Sequence, residues 1–126
     1  MPFIVDKARF CELVEEALAE LPPEFAAFLE EVPIEIRDNP SAGQLNRLGL
    51  KPNGLLLGLY QGRPRTRRSV EDSGAMPDVI YIFQNPIQQV SHNENALINQ
   101  VRTTVLHEIG HHFGLSDADL TRLGYG

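Results

Sequence analysis

His107, Glu108 and His111 follow one another as His-Glu-x-x-His near the C-terminal end of the sequence. Two histidines four apart on a helix point the same way, with Cβ atoms roughly 5–6 Å apart. That gap suits two imidazole nitrogens meeting one Zn2+ ion at about 2.0–2.1 Å each. The glutamate between them projects toward the same place and can hold the proton of a zinc-bound water. Such a water ionises at about pH 7, because the cation stabilises hydroxide. Gly114 stands three residues after His111, and Asp117 three after that. Glycine can take the left-handed conformation that ends a helix. The chain then turns back and brings Asp117 to the metal as third ligand. Three protein ligands and one water form a catalytic zinc site, whereas four protein ligands form a structural one. The stretch is therefore expected to be the catalytic helix of a zinc peptidase.

Neighbouring residues compete for these roles. Asp119 is the other carboxylate available as third ligand, but the glycine spacing favours Asp117. His112 lies about 140° around the helix from His107 and is expected to serve a core polar group or a neighbouring strand rather than the metal. Tyr60, Tyr81 and Tyr125 each carry a phenol that could face a developing oxyanion. Packing is the default role for all three.

The helix that presents these groups should start at Ser91, with Ser91 and Glu94 forming a capping box, and run to about Phe113. Leu97, Ile98, Val101, Val105, Ile109 and Phe113 fall on one broad side, which predicts a core face. Gln100, Thr104, His107 and His111 fall on another, which predicts a polar site floor. Upstream, Asp6 is the expected N-cap of a first helix. Its apolar stripe is Phe10, Leu13, Val14, Ala17, Leu18 and Leu21, and Pro22-Pro23 ends it. Cys11 beside the stripe reads as a half-buried small residue. A short second helix follows, with Phe25, Phe28 and Leu29 on one face. Val32 to Arg37 alternates like a strand, and Pro33 places it at a sheet edge or at the strand's start.

Residues 38–54 read as a loop with one helical turn from Leu45 to Leu48. Leu55 to Tyr60 reads as a buried strand, in which Gly58 marks a bulge or a close backbone approach. Asp78 to Phe83 is a third strand, stopped by Asn85-Pro86. Residues 79–84, directly before the long helix, are a candidate edge for an extended substrate. A last short helix is expected from Asp117 to Leu123.

The run HExxHxxGxxD, with the GLLLGLYQG strand and the helix Arg102 to Gly114, resembles the small zincin-like metallopeptidases often called minimal zincins. The resemblance covers nearly the whole length. It implies a zinc-dependent peptidase with His107, His111 and Asp117 as ligands and Glu108 as general base. The expected fold is α+β and zincin-like. A small mixed sheet of about three strands packs against an N-terminal helix and the C-terminal HExxH helix. Nine residues follow Asp117, so no C-terminal subdomain and no Met-turn is expected, and Met76 upstream is not assigned that part.

Length and composition agree. The 126 residues, 42% hydrophobic, predict one soluble domain, residues 1–126, with a real core. The net charge of −6 argues against nucleic acid as partner. The arginines 63, 65, 67 and 68 are expected to form a solvated loop that pairs with the acidic first helix; a nucleic-acid contact is the weaker reading. A single cysteine excludes an internal disulfide. The first residues lack a signal-peptide pattern, and no apolar run approaches the roughly 20 residues that span a bilayer. The expectation is a cytoplasmic protein that acts on a peptide or protein substrate, with no membrane association. The alternative is a zincin scaffold that binds zinc, hydrolyses little and works through protein contacts.

Overall fold

The computed structural model describes residues 1–51, 54–62, 78–112, 114 and 116–122, without the side chains of Asp117 and Leu120. Helix α1 spans Lys7–Ala19. The Asp6 side chain caps it by accepting from the Arg9 amide at 2.8 Å. Its stripe is buried at Phe10, Leu13, Val14 and Ala17. Helix α2, Pro23–Glu31, starts on a proline at its first position, where a missing N–H costs nothing. Strand β1, Ile34–Arg37, begins directly after Pro33.

Helix α3 spans Ala42–Arg47 and is closed at its start by a Ser41–Gln44 capping box. The helical turn expected over 45–48 thus forms earlier, because Ser41 supplies the N-cap and Gln44 the return bond. Strand β2 is Gly58–Gln61 and strand β3 is Val79–Phe83. Helix α4, Gln84–Gln89, leads to the long helix α5, Glu94–His112, and then α6, Asp117–Arg122. Among the described residues no helix is long and apolar enough to cross a membrane. Arg63, Arg65, Arg67, Arg68, Met76, Phe113 and Tyr125 lie outside the described residues, so the expected roles of the arginine loop fall there too.

The sheet order is β1-β3-β2, with β1 parallel and β2 antiparallel to β3. This is the expected small mixed sheet between N- and C-terminal helices. The expected edge is corrected: β3 is central. All five of its residues are buried, as a strand covered on both faces requires. The edges are β1, as Pro33 suggested, and β2.

Alternation sorts the sheet's side chains. Ile80 and Ile82 join the main core with Leu97, Val101, Val105, Leu106 and Ile109 of α5 and the stripe of α1. Val79, Tyr81 and Phe83 form a second cluster on the opposite face, with Leu56 and Leu59 packed against it.

Two further expectations change. Asn85-Pro86 does not simply stop β3, because both fit the first turn of α4, whose N–H groups have no helical acceptors. Ser91 does not cap α5. It is buried and donates to the Ile87 carbonyl at 2.7 Å, closing α4. Asn93 caps α5 instead, accepting from the Ala96 amide at 2.7 Å, and Glu94 pairs with Arg9 of α1.

Gly58 fulfils its expected role as a point of close approach. A Cβ there would lie 2.5 Å from Thr104 Cγ2 and 2.9 Å from the Tyr81 carbonyl oxygen. Neither atom is the far end of a flexible chain. Gly58→Ala should therefore destabilise the fold by about 1–3 kcal/mol, read as a shift in the urea midpoint. Thr104→Ser in the same chain should recover part of it by removing Cγ2.

Candidate active site

Helix α5 divides its surface between core and site. Leu97, Val101, Val105 and Ile109 recur every four residues and are fully buried, as the spacing predicts. Gln100, Thr103, Thr104, His107 and Glu108 line a cleft of about 370 Å3, closed on the other side by Leu57 and Gly58. The expected polar floor is therefore present at residues 100, 104 and 107. A second cleft of about 330 Å3, between Asn39, Pro40, Leu45, Asn85 and Gln89, has no ionisable side chain among the described residues on its wall. It offers neither a general base nor a metal ligand of the zinc type.

The His107 and His111 rings lie one turn apart, with centroids 6.2 Å apart and planes 23° from parallel. His107 is half-buried and His111 exposed. Both imidazoles thus stand on one side of the helix end, where their nitrogens can converge on one cation. Among the described side chains no third histidine, cysteine or carboxylate completes a metal-binding group. The Asp117 side chain lies outside that set.

The Glu108 carboxylate is half-buried and accepts a 2.6 Å hydrogen bond from the Tyr60 backbone N–H. This follows from the strand register. Leu57 accepts from the Phe83 amide at 3.0 Å, and Gly58 faces Ile82 across the pair. Hydrogen-bonded and non-bonded pairs alternate along an antiparallel ladder. Gly58 and Tyr60 therefore turn their backbone polar groups away from β3, to the edge of β2 that no described strand pairs, beside α5. The Tyr60 hydroxyl donates to Asp78 Oδ2 at 2.6 Å. Tyr81, by contrast, is buried on the other face, beneath Arg37.

His112 serves the neighbouring strand, as expected. Its ring stacks on Tyr60, with centroids 4.6 Å apart and planes 18° from parallel, and it also meets Phe28 at 5.3 Å. The Tyr60 link to Glu108 was not foreseen, because a backbone donor leaves no trace in residue type. Asp78 likewise read only as the start of a strand.

Helix α5 ends at His112. Gly114 has φ +80° and donates to the His111 carbonyl at 3.0 Å; this is the left-handed helix end that the spacing predicted. Asp119 caps α6. It accepts from the Ser116 amide at 2.9 Å, while its own amide donates to the Ser116 hydroxyl at 3.1 Å. Arg122 pairs with it from the next turn. His92 is exposed at the start of α5, far along the helix from the two paired imidazoles.

The chain belongs to the zincin-like metallopeptidase family, which it matches over residues 29–126. No curated protein matches it in sequence. Helix α1 precedes the matched span, yet it supplies Phe10, Leu13 and Val14 to the core against α5.

The bonds from Ser116, with Arg122 beside them, hold the Asp119 carboxyl below its usual range. A lowered folded-state pKa means that the cap is intact above the ordinary carboxylate pKa. Its contribution is lost as pH falls through the lowered value. The Ser116 amide shift, followed by NMR, should titrate with a midpoint below the ordinary range of an aspartate carboxyl. A midpoint at or above that would show that the cap does not form.

Proposed function

We propose that this chain is a zinc-dependent endopeptidase, with His107, His111 and Asp117 as metal ligands and Glu108 as general base. The observation that carries the reading is the shared cleft. Glu108 and His107 open onto the same space as the free edge of β2. The donor set fits zinc. Two imidazoles one turn apart supply neutral nitrogen donors, and carboxylate oxygen is a usual third ligand. The reversal at Gly114 and the commitment of Asp119 to its cap support Asp117 as the residue that completes the set.

When bound, zinc supplies a Lewis acid for the peptide carbonyl and makes a water acidic enough to lose its proton at neutral pH. The protein's own groups do the rest. An extended peptide lies along the free edge of β2, where the Gly58 N–H and C=O are directed outward and can pair with it. The Tyr60 N–H, already taken by Glu108, marks where peptide pairing gives way to chemistry. Glu108 takes one proton from the attacking water. The water oxygen bonds to the carbonyl carbon, the C–N bond breaks, and Glu108 passes its proton to the leaving nitrogen. Water is consumed and one acid and one amine are formed.

The test is cleavage of a peptide library by the zinc-loaded chain and by Glu108→Gln. The variant should keep one zinc per chain and lose at least about a hundredfold in kcat. His107→Ala, His111→Ala and Asp117→Ala should each lose stoichiometric zinc. Full zinc occupancy with no turnover even in the unaltered chain would instead favour a zinc-holding interaction module.

A further inference from the structure

Tyr60 is the one described residue that reaches the site through its backbone and is gripped through its side chain on two sides. Its N–H meets the Glu108 carboxylate at 2.6 Å, and its hydroxyl meets Asp78 at 2.6 Å. Its ring stacks on His112 at 4.6 Å and lies 6.4 Å from the Phe28 ring, inclined 28° to it. These contacts come from α2, α5 and the residue before β3. They converge on an edge strand of four residues, which among the described strands pairs with β3 alone. A short edge strand is the part of a sheet most ready to shift. A carboxylate held by its backbone is only as well placed as that strand.

We propose that Tyr60 is a positioning residue for Glu108, and that His112, one residue past His111, acts through it. Stacked aromatic rings attract beyond the area they bury, and here the His112–Tyr60 stack bears on β2. The arrangement explains why His112 lies off the metal-facing side yet is packed against a site residue. It also gives Phe28 and Asp78 a part in the site, although neither touches the reacting atoms. The inference rests on Glu108 as the base, but its physical content is a hydrogen bond that exists whether or not the chain cleaves peptides.

The experiment therefore has one arm that needs no turnover. Amide hydrogen exchange at residue 60 is followed by NMR in the full chain and in Glu108→Ala, His112→Ala, His112→Phe and the distant control His92→Ala. Protection at residue 60 should fall about tenfold or more in Glu108→Ala and His112→Ala. It should be retained in His112→Phe, which keeps a stacking ring, and in His92→Ala. Unchanged protection in Glu108→Ala would overturn the carboxylate contact. Equal loss in His112→Ala and His112→Phe would overturn the stacking.

The second arm applies to the zinc-loaded chain if it cleaves peptides. There His112→Ala should lower kcat several-fold with KM and zinc content unchanged, and His112→Phe should restore it. A change in KM alone would make His112 a substrate contact instead. Failure of all turnover with the exchange pattern intact would remove the peptidase and leave the positioning contact standing.

Discussion

Strand β2 runs so close to α5 that not even one methyl group fits between them at Gly58. A Cβ there would overlap Thr104 and the Tyr81 carbonyl. Two residues on, that closeness lets a backbone N–H reach the Glu108 carboxylate. A side chain at residue 58 would lift the strand, widen the cleft and withdraw the donor together. Packing and chemistry thus depend on the same contact, and the absence of a side chain at one position serves both.

The long helix is built to hold that contact still. Its core face carries Leu97, Val101, Val105 and Ile109, all fully buried against α1 and the sheet. Each such side chain contributes about 1.5–3 kcal/mol by leaving water. The exposed Arg9–Glu94 pair adds little by comparison, since solvent screens it. The site sits on the last turns of this anchored helix, where His107 and Glu108 are half-buried and His111 is open. Sites on rigid elements hold their geometry better than sites on loops. The part of the site that lies outside a helix is β2, and the Tyr60 contacts tie it to α2 and α5.

Much of this was legible in the residues, for physical reasons. The helical period placed core and site residues on different, adjoining sides of α5, and glycine chemistry located both the helix end at Gly114 and the close approach at Gly58. Pro33 marked an edge or a strand's start, and β1 is an edge strand that begins directly after it. What residue types could not show was order within the sheet. The sequence of β3 fits an exposed edge less well than a central strand, since Val79 to Phe83 is apolar throughout, but its nearness to the helix suggested otherwise. Helix α4 was hidden because Asn85-Pro86 serves equally as a strand stop and a helix start. Ser91 and Asn93 are both good caps, and only the burial of Ser91 decides between them. The Tyr60 N–H is common to every residue but proline, so no pattern could announce it.

The central claim is that one zinc ion is held between the last turn of α5 and the chain just past Gly114. It is tested most directly by anomalous diffraction at the zinc edge from crystals of the zinc-loaded chain. A single peak about 2.0–2.2 Å from a nitrogen of His107, a nitrogen of His111 and an oxygen of Asp117 is the predicted result. A peak bound by Asp119 or His112 in place of Asp117, or no peak beside His107 and His111, would contradict it.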